Sequence, residues 1–315
     1  MDSVLTLDND IWRVGLAPTL GGSIASGAVQ LDGTWVDVMR PTPADATIAG
    51  QTASFPLVPW SNRISGPVLR WKGKEHPLRA TGSDGTAIHG VGLKHEWTVA
   101  EADATHAVLT LDSRELEDPN FPWPFTTTFT YTLDGATLVV TMAVTNVSDE
   151  EFPAGLGHHP YFERQLTADG EALGDEAELQ IRCGAGYELV NCLPTGGPGP
   201  IRAEADYRDR RPLGHAHVDD CLTDRVSPAA ATIIWPGALR LRMEAEASLS
   251  HIVVYVPEGK PFFAVEPVSH ANDALRLAAE GVPGVGVRTL APGETFTTEW
   301  SLTATPAKTG APLTH

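Results

Sequence analysis

The sequence is poor in cysteine. Its 315 residues include three, at Cys183, Cys192 and Cys221, and no two of them form a CxxC pair. A small secreted domain held together by disulfides needs a larger and even set, and a structural zinc site needs closely spaced ligand pairs. Neither a disulfide framework nor a zinc finger is therefore predicted.

Long apolar runs and targeting signals are also lacking. No stretch approaches the roughly 20 apolar residues that cross a bilayer as a helix. Residues 1–8 contain no basic segment followed by an apolar run, so a signal peptide is not expected. The prediction is a cytoplasmic protein that does not contact a membrane.

Basic residues are scarce compared with acidic ones. There are 22 Lys and Arg against 40 Asp and Glu, which gives a net charge of −18. Such a chain repels nucleic-acid phosphates and anionic lipid, and it disfavours the attraction of anionic substrates from a distance. The charge balance therefore favours a neutral small-molecule substrate. A monomer or homodimer is expected, and no cofactor is predicted.

Turn-forming residues, by contrast, are abundant, with 30 Gly and 25 Pro spread along the chain. Hairpins are predicted around Asp32-Gly33, Lys72-Gly73 and Asp134-Gly135, where Gly permits the left-handed backbone of a tight turn. Segments 125–133 and 137–146 are β-branched and follow each other as a meander, not as a βαβ unit. The best helix candidate is 273–280, with Asn272 as its N-cap. We therefore predict one all-β domain over residues 1–315, with a few short helices.

Two stretches carry acid–base chemistry. His158 and His159 follow a small-residue turn and precede Pro-Tyr-Phe, and Glu266 ends an apolar strand. Imidazole titrates close to neutral pH, and burial raises the pKa of a carboxyl group toward that of a useful base. Together they could move protons between two oxygens of one substrate. Taken alone, the histidine pair is more commonly explained by a hydrogen-bonded structural histidine or a solvated loop. Glu266 alone is more commonly explained by an ion pair of a strand-end Glu with a nearby Arg.

Residues 54–66 form a further candidate. Pro56 and Pro59 favour a rigid extended loop that presents Trp60, Asn62 and Arg63, an aromatic face beside hydrogen-bonding groups that suit a sugar. A core tryptophan and a surface ion pair of the arginine are the alternative.

These stretches together resemble the aldose 1-epimerases, or galactose mutarotases. Five motifs occur in that family's order and at about its spacing: Pro59-Trp60-Ser61-Asn62-Arg63-Ile64, Ile88-His89-Gly90, Gly157-His158-His159-Pro160-Tyr161-Phe162, Val218-Asp219-Asp220-Cys221-Leu222 and Val265-Glu266-Pro267. The resemblance implies a large antiparallel β-sandwich, often called a supersandwich, with the sugar in a cleft across one sheet.

The resemblance also implies roles. His159 matches the general acid and Glu266 the general base, while Arg63, His89 and Asp219 match the contacts to sugar hydroxyls, which Asn62 and Trp60 would supplement. The sequence departs from the family pattern in two places, and both bear on which sugar is preferred. His158 stands where the family often has another polar residue, and Asp220-Cys221-Leu222 replaces a commoner His-x-Phe.

The implied reaction interconverts the α and β anomers of a free aldose. Glu266 takes the proton of the anomeric hydroxyl while His159 protonates the ring oxygen, and the opened chain rotates and closes again. Because free Glu and His titrate at about 4.3 and 6.5, we expect the site to raise both pKa values. A bell-shaped dependence of kcat/KM on pH follows.

Three other functions stay open. His215, His217 and Asp219 could bind a metal if they lay on one face of a strand, as in metal-dependent sugar isomerases, although the preceding Gly and Pro favour a loop. An epimerase of sugar phosphates would need converging arginines. A non-catalytic sugar-binding protein could use the same scaffold.

Overall fold

The computed structural model describes residues 4–307, which form mainly antiparallel β-sheets. A nine-stranded sheet contains, in spatial order, Thr98–Ala102, His106–Asp112, Phe125–Asp134, Thr137–Asn146, Thr295–Pro306, Leu239–Ala245, Ala229–Trp235, Glu178–Gln180 and Arg211–Pro212. A seven-stranded sheet contains Cys183–Gly186, Val218–Arg225, His251–Val256, Phe262–Val268, Gly157–His158 and Pro56–Leu57, and its seventh strand, Tyr161–Glu163, also pairs with Phe262–Val268.

The remaining elements are shorter. A four-stranded sheet is built from Leu5–Asp8, Trp12–Ala17, Ser23–Leu31 and Thr34–Asp37. Two-stranded pairs are Arg63–Ile64 with Ala87–Ile88, Val68–Trp71 with Lys74–Pro77, Phe152–Ala154 with Arg288–Leu290, Thr167–Ala168 with Glu171–Ala172, and Leu189–Val190 with Leu193–Pro194. The α-helix is Ala274–Ala279, and 3₁₀ turns lie at Ala49–Gln51, Gly92–Lys94, Ser113–Glu115 and Ala203–Ala205. Within residues 4–307, none of the helices has the length and apolar character needed to span a bilayer.

The sheets enclose a core built by strict alternation. Along Phe125–Asp134 and Thr137–Asn146, every second side chain is buried and the threonines between them are partly exposed. Successive side chains of a strand point to opposite faces, so one face of this meander becomes apolar. That face joins a large cluster with Trp300 of the same sheet and with Trp12 and Phe263 from other sheets. The predicted all-β sandwich is confirmed.

Two of the three hairpins have the predicted turns. Asp32-Gly33 and Lys72-Gly73 have positive φ angles at both positions (47° and 91°, 49° and 76°). The third turn lies one residue later than predicted, because Asp134 still pairs with Thr137 and leaves Gly135-Ala136 as the two-residue loop.

Other local predictions need correction. Asn272 is not the N-cap of the helix. Asp273 occupies that position with φ 48°, and its carboxylate accepts hydrogen bonds from Ser65 N and Arg276 Nε. Pro56 does lie in a strand, but an edge strand, where the missing N–H of proline is tolerated. Residues 165–215 contain several further strands of two to four residues.

Gly90 fixes the loop that carries His89. Its φ is +77°, and a Cβ there would lie 2.1 Å from the carbonyl oxygen of Val58. Gly90→Ala is expected to lower the free energy of unfolding by about 2–5 kcal/mol, combining a left-handed alanine (about 1–2) with overpacking (about 1–3). Gly66→Ala, with φ +60° and open space around the Cβ, is the control. It should lower the free energy of unfolding only by the cost of a left-handed alanine, about 1–2 kcal/mol. Equal losses in urea titrations would contradict this explanation.

Candidate active site

His159 and Glu266 meet inside the protein. His159 Nε2 lies 3.1 Å from Glu266 Oε1, and the two residues are only 6% and 2% exposed. Glu266 lies in the middle of the seven-stranded sheet, in register with Val253 of the neighbouring strand. His159 follows the short strand Gly157–His158, and its backbone N–H donates to the carbonyl of Phe55. The sheet therefore brings together two residues that are 107 positions apart in the sequence.

Aromatic rings hold the imidazole of His159 in place. Tyr161 stacks on it with a centroid distance of 4.5 Å, and Phe55 lies 4.7 Å away at a tilt. His89 meets it edge-on at 5.4 Å. The guanidinium of Arg40 lies 3.7 Å above the Tyr161 ring. A ring enclosed by other rings has few rotamers available, so the position of Nε2 is well defined.

Burial shifts the two pKa values in opposite directions. It raises the pKa of Glu266 well above its ordinary value, and the charge of Asp219 adds to this while Arg63 opposes it. It lowers the pKa of His159 well below its ordinary value, with smaller contributions from His89 and Arg40. Removal from water disfavours the charged form of either group. The expectation that the site raises both pKa values is therefore wrong for His159.

Several buried polar atoms around the pair have no protein partner. They are Glu266 Oε2, His159 Nδ1 and His89 Nδ1. Buried polar atoms in folded proteins are nearly always hydrogen-bonded, and a cluster of exceptions indicates a place where a polar ligand binds. Acceptor and donor positions of this kind match the hydroxyl groups of a sugar.

Arg63, Asn62 and His89 lie on one small structure next to the pair. Strand Arg63–Ile64 pairs with Ala87–Ile88, and His89 N–H donates to Asn62 O across 2.9 Å. Asn62 and His89 both have left-handed φ angles, 52° and 63°. Arg63 binds Asp84 through Nε at 2.7 Å, as the ion-pair alternative predicts, yet it is also close enough to act on the pKa of Glu266.

Asp219 reaches the site from the strand Val218–Arg225. It is half-buried and lies opposite Tyr255 in the next strand. Its Oδ2 accepts a hydrogen bond of 3.2 Å from the thiol of Cys192, at the tip of the hairpin Leu189–Pro194. The side-chain amide of Asn272 donates to the carbonyl of Cys192 at 3.0 Å and holds the tip there.

Sequence reasoning missed five of these neighbours: Arg40, Phe55, Cys192, Tyr255 and Asn272. The sequence pattern marks Asn272 only as a candidate helix cap. The Asn191-Cys192 dipeptide, with φ angles of 50° and 62°, was a detectable turn signal. The others carry no local pattern that distinguishes them from core or loop residues.

Trp60 does not lie beside His159 and Glu266. Its side chain is 3% exposed, belongs to the main core and stacks on Phe121 at 5.9 Å, as the core alternative predicts. The aromatic faces beside the pair belong to Phe55 and Tyr161 instead.

His158 points away from its neighbour. It is fully buried, where Ser54 Oγ contacts its Nδ1 and Tyr131 OH lies 3.3 Å from its Nε2. Asp220 likewise faces away from Asp219, toward a bidentate ion pair with Arg202. The departure at His158 therefore lies behind the wall of the site, whereas Cys221, in the second departure, lies on the same face of the sheet as Asp219 and Glu266.

The candidate metal ligands do not converge. His215 and His217 are exposed and precede the strand that carries Asp219. Among residues 4–307, no group of three or more His, Cys, Asp or Glu side chains is placed to hold a metal ion.

Comparisons with known proteins give matches over most of the chain. A family model described as Aldose 1-epimerase matches residues 3–303. Uncharacterized protein YphB of Escherichia coli K12 is 26% identical over 292 residues, which cover 86% of this chain and 91% of that protein. A galactose mutarotase-like protein from Clostridium acetobutylicum has a TM-score of 0.81 at 19% identity, covering 96% of this chain and 95% of that chain. The GalM/aldose epimerase homologue from C. elegans has a TM-score of 0.79 at 18% identity, covering 97% and 99%. At these identities the two structures show a shared fold.

The charge of Asp219 can be tested on the carboxyl group of Glu266. Asp219→Asn removes a negative charge that opposes ionisation, so the pKa of Glu266 should fall. Infrared titration of the protonated carboxyl band measures it, with Glu266→Gln identifying the band. Asp224→Asn is the matched control: it lies on the same strand, is exposed, and its φ of 57° suits asparagine. An unchanged pKa in Asp219→Asn would refute the electrostatic contact.

Proposed function

The chain belongs to the aldose 1-epimerase family, and from that premise we propose that it interconverts the α and β anomers of a free aldose. The observation that carries the proposal is the buried contact of 3.1 Å between His159 and Glu266. An imidazole and a carboxyl group at this distance form an acid and a base that can act on two neighbouring oxygens. The anomeric hydroxyl and the ring oxygen, both bonded to C1, are such a pair.

The proton count of the pair fits the reaction. With one mobile proton the pair is either carboxylate plus imidazolium or carboxyl plus neutral imidazole, and its net charge is zero. Burial opposes both the addition of a second proton and the loss of the last one, because each leaves a net charge out of water. The one-proton state that catalysis requires is thereby favoured over a wide range of pH.

In the proposed mechanism, the carboxylate of Glu266 removes the proton of the anomeric hydroxyl. The imidazolium of His159 protonates the ring oxygen, the C1–O5 bond breaks, and the aldehyde forms. Rotation about C1–C2 presents the other face of the carbonyl, and the reverse transfers close the ring. Desolvation that lowers the pKa of His159 makes its imidazolium a stronger acid, which favours protonation of the weakly basic ring oxygen.

Four side chains are proposed to hold the sugar hydroxyls. His89 contacts the ring of His159, and Arg63 and Asp219 are both close enough to act on the pKa of Glu266. Asn62 accepts from Arg63 N and fixes the local backbone. Fixed polar groups around a pyranose orient C1 toward His159 and Glu266. This positioning of the substrate raises the reaction rate.

A free sugar suits the site better than a sugar phosphate. Arg63 is paired with Asp84. The Nη2 of Arg40 donates to the carbonyls of Gly50 and Thr52, while its guanidinium covers Tyr161. Neither arginine leaves its guanidinium free to bind a phosphate through bidentate hydrogen bonds.

Substitution of either member of the pair should remove the activity. His159→Ala and Glu266→Ala are each expected to lower kcat/KM by about 10²–10⁴-fold, the usual contribution of a general acid or base. The assay follows the optical rotation of freshly dissolved α-glucose and α-galactose, corrected for the spontaneous rate. His106→Ala, a remote half-buried histidine on Thr132, is the control and should keep full activity. Near-full activity in both pair variants would refute the assignment.

A further inference from the structure

His158 is the neighbour of His159 that the proposed chemistry does not use. It is fully buried, and its imidazole lies against Phe129 and Trp300 of the nine-stranded sheet, with centroid distances of 5.9 Å and 5.4 Å. Burial lowers the pKa of His158 to about 3, so the ring is neutral at working pH. A neutral imidazole has one N–H that donates and one nitrogen that accepts, and in a core both need partners.

The hydrogen bonds around this ring determine which nitrogen carries the proton. The hydroxyl of Tyr131 donates to the carbonyl oxygen of Gly22 at 3.2 Å, so its oxygen accepts from Nε2–H of His158 at 3.3 Å. The hydroxyl of Ser54 then donates to Nδ1. In the other tautomer, Tyr131 would have to donate to Nε2, which would deprive the Gly22 carbonyl of its donor, and the buried Ser54 hydroxyl would lose its acceptor. The Nε2–H tautomer satisfies every group.

These hydrogen bonds, the Ser54–His158–Tyr131 network, join the two large sheets. Tyr131 lies in the nine-stranded sheet, His158 lies in the seven-stranded sheet, and Ser54 lies shortly before the edge strand Pro56–Leu57. That edge strand pairs with the strand of His158, in the register of His158 with Pro56. Because hydrogen bonds are directional, the network fixes these three segments more narrowly than apolar packing would.

The network lies directly behind the proposed acid. Ser54 and His158 each precede a residue of the site, Phe55 and His159. The carbonyl oxygen of Phe55 accepts from His159 N–H at 3.1 Å, and the two rings are 4.7 Å apart. A shift of Ser54 or His158 would therefore move the backbone that carries the acid and the ring that packs on it. A misplacement of about 1 Å can lower the rate of an enzyme by about 10²-fold.

We propose that His158 is a positioning residue, which holds the imidazole of His159 in place for proton transfer through its hydrogen bonds to Ser54 and Tyr131. The proposal rests on the proposed function, because the placement of His159 affects the rate only if His159 is the acid. It assigns a role to a position at which the sequence departs from the family pattern. His158 acts here through the backbone of its neighbour and holds no proton of the substrate.

The tautomer of His158 can be measured without any assay of activity. In ¹⁵N NMR of protein labelled on histidine, at neutral pH, His158 is expected to show a protonated Nε2 and an unprotonated Nδ1. The signals of His158 are identified by their absence from His158→Phe. A protonated Nδ1 would overturn the proposal, because the network would then have a different arrangement of donors and acceptors.

Polarimetry with glucose and galactose tests the effect on the rate. Ser54→Ala, Tyr131→Phe and His158→Phe are each expected to lower kcat by about three- to tenfold, the range of one hydrogen bond. The KM should stay within about twofold, because the network holds the acid and not the groups proposed to bind sugar hydroxyls. Tyr131→Phe added to His158→Phe should lower kcat by no more than about twofold further, since its partner is already gone.

Tyr207→Phe is the matched control. The hydroxyl of Tyr207 is in an equally buried residue and donates to the carbonyl oxygen of Leu213 at 3.0 Å, in a hydrogen bond that involves neither His158 nor His159. This variant loses one buried hydrogen bond, as Tyr131→Phe does, and should keep the wild-type kcat.

Other outcomes separate the two proposals. An active wild-type protein with unchanged kcat in the three single variants would overturn the positioning role and leave the epimerase proposal standing. An equal loss of kcat in Tyr207→Phe would also overturn the positioning role, because any buried hydrogen bond would then have the same effect. Failure of the wild-type protein to accelerate the mutarotation of glucose or galactose would overturn the epimerase proposal and the positioning role with it.

Discussion

The exclusion of water from His159 and Glu266 is the constraint on which the rest of the site depends. A buried charge costs several kcal/mol unless a partner compensates it, and each member of this pair has the other at 3.1 Å. The surrounding charged groups shift the pKa values of both residues. Arg63 favours the carboxylate and Asp219 opposes it, while Arg40 and His89 oppose the imidazolium. A pair held close to neutrality in this way can exchange protons with a substrate without first attracting or expelling an ion.

Strand pairing in the sheets brings residues that are distant in the sequence together at this site. Glu266 is fixed by the register of its strand with His251–Val256, and the imidazole of His159 contacts the rings of Phe55 and Tyr161. Hairpin Leu189–Pro194 is held over the site by Asn272 and by Arg276, whose Nη2 donates to the carbonyl of Pro194. A site of this type is built on paired strands with loops fixed against them, which keeps the reacting atoms in place between turnovers.

Much of the fold could be predicted from the sequence because period-two alternation and Gly-containing turns are local signals. The strands 125–134 and 137–146 and the turns at Asp32-Gly33 and Lys72-Gly73 follow from them. His159 and Glu266 could be named because the family's motifs surround them. Their pKa shifts were predicted only in part, since the sign for His159 depends on burial, which no local pattern reports. Trp60 and Arg40 show the same limit: which aromatic enters the core and which arginine faces the site are decided by long-range packing.

The two adjacent aspartates of the strand Val218–Arg225 have a consequence for evolution. Asp219 lies on the same face of the sheet as Glu266, whereas Asp220 is paired with Arg202, because neighbouring side chains of a strand point to opposite sides. A single-residue insertion or deletion earlier in this strand would exchange the two carboxylates and turn Arg202 away from its partner, whereas a change of two residues would restore the pattern. Lineages of this protein should therefore vary in the loop before Val218 far more freely than in the strand itself.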